Sequence, residues 1–169
     1  MLTAYNIPLN DLKSGATEYD WNITEEFFKS FDNAEILSAS VDVTVVVRKV
    51  SGNFLLDCRM SGELAVPCDR CLDELVLPVD AEVGLKLQYS KADVDEEDGR
   101  EVVEIPQGCE FDMSQVIYDY VCLCIPIQHC HEDGGCNPEV VKHLTGQGTS
   151  ETPAVESNAF SSLKDLFEK

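Results

Sequence analysis

Positive charge is scarce in this 169-residue chain. Its 12 Lys and Arg face 32 Asp and Glu, for a formal net charge of −20 and a sequence pI of about 4.2. So acidic a surface repels nucleic-acid phosphates and anionic lipid, which argues against non-specific DNA or RNA binding and against adhesion to an anionic membrane. Long apolar runs are missing too: no stretch approaches the roughly 18 apolar residues of a membrane span. Residues 1–10 lack the basic start and apolar core of a secretory signal. The expectation is a cytoplasmic protein with no membrane association. Catalytic signatures are also absent: there is no H-E-x-x-H, no nucleophile elbow and no glycine-rich phosphate loop. Acidic residues are spread along the chain, so no carboxylate pair stands out as an acid/base couple, and the reading is that the chain is not an enzyme. What is present is ordinary for a globular protein, with 44% apolar and 26% charged residues. A chain this long can bury a core without disulfides.

Eight cysteines are the main chemical resource: Cys58, Cys68, Cys71, Cys109, Cys122, Cys124, Cys130 and Cys136. In a reducing compartment they favour a metal site or plain burial over a disulfide framework. Cys68-Asp69-Arg70-Cys71 is a C-x-x-C knuckle, whose spacing lets both sulfurs face one tetrahedral ion. Cys130 and Cys136 form a second pair, with Gly134-Gly135 between them to permit a tight turn. Cys68, Cys71, Cys130 and Cys136 therefore make a candidate structural zinc set, and His129 or His131, which flank Cys130, could also coordinate. Two other readings stay open. Cys68/Cys71 could be a redox dithiol, although such a motif normally opens a helix and here Pro67 and flanking strands surround it. The thiols could also be unligated. Cys58, Cys109, Cys122 and Cys124 read as buried small hydrophobes.

Periodicity predicts an α+β fold, mainly an antiparallel sheet or partly closed barrel with one or two short helices. A short strand is expected near the N-terminus, a strand over 19–23, and a short helix over 24–31 with Thr24 as cap and Phe27, Phe28 and Phe31 on its apolar face. Val41, Val43, Val45 and Val47 alternate with polar residues, and Phe54, Leu56, Cys58 and Met60 form a hairpin partner across the turn at Ser51–Asn53. Ser61-Gly62 reads as a bulge or turn, followed by strands over 63–66, 74–77 and 81–89. The acidic run Asp93–Gly99 reads as a solvated loop. A helix is predicted from Asp112, with Met113, Val116, Ile117, Tyr120, Val121 and Cys124 inward and Pro126 ending it. Residues 1–144 are expected to form one β-rich domain, and 145–169 a flexible linker and an amphipathic helix. Arg48, Lys49, Arg59, Arg70, Lys86 and Lys91 would form a local positive patch if they shared a sheet face, and would otherwise be scattered solvated side chains. The tail stripe Phe160, Leu163, Leu166 and Phe167 needs an apolar surface, on this domain or on a partner.

Val66-Pro67-Cys68-Asp69-Arg70-Cys71-Leu72 after several strands resembles the C-x-R-C-L element of the YceD-like family, the large ribosomal RNA subunit accumulation proteins. The acidic loop before a short helix, the Ile125-Pro126 element, the later cysteine-bearing segment and the terminal run Asn158, Phe160, Leu163 and Leu166 are similar as well. Cys136 is followed by Asn-Pro-Glu-Val, where many members carry a second C-x-x-C-G. The resemblance implies a cytosolic bacterial factor that supports accumulation or processing of large-subunit rRNA and is not an enzyme. The acidic charge favours a basic ribosomal protein or pre-ribosomal particle as partner, with RNA contact left open. Arg70 and the stripe Phe160, Leu163, Leu166 and Phe167 are the candidate partner-binding residues. The alternatives are a thiol-redox protein using Cys68/Cys71 and a zinc-stabilised protein-interaction module.

Overall fold

Strict alternation of β-branched and aliphatic residues places one face of each long strand against a common core. The computed structural model describes residues 5–12, 15–89, 99–106, 108 and 110–146. The elements in order are β1 (Asn6–Ile7), a 3-10 turn (Leu9–Asp11), β2 (Ala16–Thr24), α1 (Glu25–Lys29), β3 (Ser38–Val50), β4 (Asn53–Pro67), β5 (Glu74–Gln88), β6 (Glu101–Glu104), β7 (Phe111–Asp112), α2 (Ser114–Leu123) and α3 (Pro138–Gly146). The five-stranded sheet has the order β2-β3-β4-β5-β6, and β1 pairs with β7 beside it. This is the expected α+β fold. Its sheet is open, so the partly closed barrel does not form: β2 and β6 are the two edges. Neighbours from β2 to β5 are antiparallel, while β6 runs parallel to β5. About a dozen residues separate β5 from β6, enough chain to return for a parallel pairing.

Two expected breaks are not breaks. At Ser61-Gly62 the ladder continues without a bulge, with Asp42 opposite Ser61, Val41 opposite Gly62 and Ser40 opposite Glu63. Gly62 has φ +155°, and a Cβ there would lie 2.2 Å from the Ser40 carbonyl oxygen and 2.8 Å from Val41 Cα. The glycine allows β3 and β4 to approach closely where a side chain would part them. The segments 74–77 and 81–89 likewise join into β5 through Pro78, which pairs with Glu63. Proline is tolerated because β6 covers only Leu85–Gln88, leaving β5 an edge at position 78.

Among the described residues, only one face of the sheet is covered. Val41, Val43, Val45, Val47, Leu56, Met60, Leu85 and Leu87 are buried together with Phe27 and Phe28 of α1 and Met113, Ile117 and Val121 of α2 or its start. The predicted inward face of α2 is observed, with Val116, Tyr120 and Cys124 partly buried at its margin. Its start is held by Asp112, whose Oδ1 accepts from the Ser114 amide at 2.8 Å. Thr24 precedes α1 but makes no side-chain cap hydrogen bond. Aromatic contacts tie α1 and the turn after it to α2 and to the N-terminal segment: Phe31 stacks on Tyr118 at 4.5 Å, and Tyr5 meets Phe27 edge-on at 5.2 Å. Cys58 is buried, and Cys122 and Cys124 are partly so. The acidic run 93–98, Lys91 and Cys109 lie outside the described residues.

Arg48, Arg59 and Lys86 do point to the uncovered face, but among the described residues no positive patch results. Asp57 pairs with Arg48 and, at 2.6 Å, with Arg100, and Glu82 pairs with Arg59 at 3.3 Å. Lys49 instead lies over the Phe54 ring. Opposite charges directly across a pleated face attract, so Arg48 and Arg59 are neutralised locally.

Gly62→Ala should destabilise the protein by more than about 1 kcal/mol, because both the backbone angle and the Ser40 carbonyl oppose a methyl group. Gly52→Ala, at φ +87° in an open turn, should cost less. Urea denaturation midpoints of the two variants measure the difference, and equal values would mean that the close approach of β3 and β4 is not what glycine serves.

Candidate metal centre

The C-x-x-C knuckle is the tip of the β4–β5 hairpin. The pairing Pro67–Glu74 closes the ladder, and residues 68–73 form the turn. The Cys68 amide donates to the Asp73 carbonyl and the Leu72 amide to the Cys68 carbonyl, both at 2.9 Å. Leu72 adopts φ +64°, a left-handed conformation that costs a non-glycine residue about 1–3 kcal/mol. That geometry lets the chain reverse within the knuckle while Cys68 and Cys71 both turn inward.

Residues 126–137 fold against this tip. The Asp69 amide donates to the His129 carbonyl at 3.0 Å, and the His129 amide donates to Asp69 Oδ2 at 2.8 Å. The Gly135 amide closes a turn on the Glu132 carbonyl at 2.8 Å, and Gly134 takes φ +87°. The turn brings His131 and Cys136 side by side. Asn137 then starts α3, its Oδ1 accepting from the Glu139 amide at 3.1 Å, and Pro138 occupies the first turn, where its missing N–H costs nothing. Val140 and Val141 of α3 pack with Leu75 and Cys130 around buried Cys68, Cys71 and Cys136. This second apolar cluster is separate from the main core.

Cys68 Sγ, Cys71 Sγ, Cys136 Sγ and a ring nitrogen of His131 all lie within 4.8 Å of one another. Cys68 and Cys136 sulfurs are 3.9 Å apart, and His131 Nδ1 lies 3.4 Å from Cys71 Sγ and 3.9 Å from Cys136 Sγ. Zinc–sulfur bonds of about 2.3 Å in a tetrahedron give sulfur–sulfur edges of about 3.8 Å, so the spacing fits such an ion. His131 Nε2 lies 3.0 Å from the Glu74 carbonyl. A proton on Nε2 donated to that carbonyl leaves the Nδ1 lone pair aimed at the sulfurs, the outer-shell arrangement of metal-binding histidines. The four groups could hold a metal ion.

Of the four cysteines in the sequence-predicted set, three meet here. Cys130 packs against the group as a partly buried neighbour, and His131, the flanking alternative, supplies the nitrogen. His129 turns instead to Asp69, with Nε2 3.4 Å from Oδ1. Arg70 is exposed at the tip; its amide lies 3.5 Å from Cys68 Sγ and its Nη1 3.8 Å from Cys136 Sγ. Phe160, Leu163, Leu166 and Phe167 lie outside the described residues. The signal for His131 was in the spacing: four residues separate it from Cys136 in the sequence, within the usual range between zinc ligands, whereas five separate Cys130 from Cys136.

The electrostatics favour charged sulfur. Burial acts to raise the Cys68 thiol, but the backbone amides of Cys71, Arg70 and His131 outweigh it and bring the group down to about 5. Cys136 and Cys130 are raised, by burial first and then by the neighbouring sulfurs. Cys58, in the main core, is pushed up by burial to about 12. The group is thus built to carry its first negative charge on Cys68. Because that thiol is lowered on folding, its contribution to stability is complete above the unfolded cysteine value and is lost as pH falls through about 5. In metal-free protein, thiolate absorbance near 240 nm should rise with a midpoint near 5, and Cys68→Ser should abolish that step. A first step at ordinary thiol pH would overturn this assignment.

Comparison with known families matches residues 56–167 to the family described as "Large ribosomal RNA subunit accumulation protein YceD". No curated protein and no solved structure gives a significant match. The match begins inside β4, includes the whole knuckle and its facing loop, and covers well over half of the chain. The chain therefore belongs to the YceD family of large ribosomal RNA subunit accumulation proteins.

Proposed function

We propose that this protein is a non-enzymatic ribosome-biogenesis factor that supports accumulation or processing of large-subunit rRNA in the cytoplasm, through a basic ribosomal protein or a pre-ribosomal particle. Family membership over residues 56–167 is the observation that carries this reading. The net charge of −20 favours a basic partner, since opposite charge steers the encounter. No helix among the described residues is long and apolar enough to cross a membrane. Depleting the protein should lower large-subunit rRNA and mature large subunits relative to small ones. Unchanged rRNA and a normal subunit profile would remove the reading.

Within it, Cys68, Cys71, His131 and Cys136 hold a structural zinc ion, and Arg70 offers a cation beside the sulfurs to the partner. The ion's role is to join the hairpin tip to the 126–146 segment, as structural zinc commonly joins distant pieces of chain. A thiol-redox role is less favoured, because Cys68 and Cys71 are 0% and 4% exposed and a reactive thiol must meet its substrate. Protein purified without chelator should carry about one equivalent of zinc. Cys68→Ser and His131→Ala should each weaken zinc binding by more than about tenfold, since even outer-shell losses cost 10–100-fold. Cys130→Ser should retain the metal. Zinc lost on Cys130→Ser but kept on His131→Ala would instead establish the four-cysteine set, and metal-free protein of full stability would exclude the site.

A further inference from the structure

The uncovered face of the sheet carries a charge asymmetry that the cysteine site does not explain. Helices and the β1–β7 pair bury the opposite face, while among the described residues this one is left exposed. Two concavities lie along it. One, of about 490 Å³, is lined by Thr44, Val46, Asp57, Arg59, Glu82 and Gly84. The other, of about 240 Å³, lies further toward the hairpin tip, between Ser38, Ser40, Glu63, Ala65, Glu74 and Val76.

Cation placement divides the face. Arg48, Arg59, Lys86 and Arg100 all lie in the half nearer the β3–β4 turn, and three of them are paired with Asp57 or Glu82. The register places Asp42, Ser61 and Asp80 in one row and Ser40, Glu63 and Pro78 in the next, followed by Glu74 near the tip. These residues are exposed, and among the described residues no Lys or Arg shares their half of the face. Val76, 54% exposed, lies among them. The tip-side half of the ladder is therefore an acidic, hydroxyl-rich surface with Val76 exposed in it, and Arg70 is exposed in the turn beyond it.

We infer that this face docks an extended, arginine- and lysine-rich protein segment, its basic side chains on Asp42, Glu63, Glu74 and Asp80. The inference deepens the proposed function and rests on that reading for the partner's being a ribosomal protein. Four positions of β4, from Arg59 to Glu63, separate the two concavities. At about 3.3 Å per residue that is about 13 Å, the reach of about four extended residues. An extended chain repeats its side chains every second residue, the same period as the acidic residues on the pleated face. RNA is disfavoured, because its phosphates would face this acidic half unaided.

A fluorescein-labelled peptide of about twelve residues alternating arginine and glycine is the probe, read by anisotropy against the full-length protein. Binding should saturate at about 50 mM salt and weaken steeply by about 300 mM. Glu63→Gln with Asp80→Asn should weaken it about fivefold, as expected for losing two exposed charge contacts. Glu26→Gln with Glu35→Gln, an equal charge loss beside α1, should change it less than about twofold. Equal weakening by both pairs, or binding of a single-stranded RNA of similar length reduced by the face pair, would overturn the inference. The isosteric substitutions spare the backbone, and unchanged melting temperature and zinc content of the face pair identify lost binding as a surface effect. Complementation separates this inference from the family reading. A face pair that loses peptide binding yet restores large-subunit rRNA in depleted cells overturns the surface and leaves the biogenesis role standing; failure to restore it supports both.

Discussion

Two fifteen-residue strands, β4 and β5, hydrogen-bonded from Phe54–Leu87 to Pro67–Glu74, turn one face inward, buried or partly buried at every position but Gly62. Near the turn end that face meets α1 and α2. Near the tip it meets Cys136, Val140 and Val141. A fifteen-residue strand is longer than most, and this one holds its register because slipping by one residue would exchange the buried and exposed sets. Gly62 keeps β4 against β3 midway along the strand: a side chain there would meet the Ser40 carbonyl and part the two. Break that continuity and the cysteine knuckle has no fixed position relative to the core.

The tip cluster has too few apolar groups to stand as a core by itself. Its buried members are three cysteines, with Leu75, Cys130, Val140 and Val141 partly buried around them. Such a small apolar cluster needs another source of cohesion, as small domains commonly do. Sulfur and imidazole donors at tetrahedral spacing, with His131 oriented by the Glu74 carbonyl, match what an ion would use. The same amides that draw Cys68 toward its thiolate form would favour the ion-bound state.

Among the described residues, burial on one side leaves the other side of the sheet as a long exposed surface. Edge and face exposure of a sheet invites association, and charged side chains are a common restraint against indiscriminate pairing. Here the charges are sorted: ion pairs close off the half near the β3–β4 turn, and the half near the cysteine tip stays acidic. In the proposed docking, the carboxylates that keep this half acidic are the ones that would meet the basic partner.

Much of the fold was legible in the residue pattern. Period-two runs such as Val41–Val47 and Phe54–Met60 identify strands because each strand faces one core, and Met113, Ile117 and Val121 mark α2 by the helical repeat. Local pattern misled where long-range pairing overrode it: Gly62 and Pro78 are turn formers by composition, yet each sits inside a ladder whose neighbours hold it extended. α3 was hidden because cysteine, histidine and glycine dominate the preceding segment, although Asn137-Pro138 is a helix start. The knuckle at Cys68 and Cys71 was readable, since two intervening residues suffice to converge two sulfurs. The choice of His131 over Cys130 had only the spacing to Cys136 as a signal, because adjacent residues point in different directions and the Glu132–Gly135 turn decides which faces inward. Sequence alone determined the charge sign, the strand faces and the first two sulfurs, all of which are local. Tertiary structure alone decided the parallel β6, the ligand that completes the group and the sorting of charge over the open face, because each depends on residues brought together from distant parts of the chain.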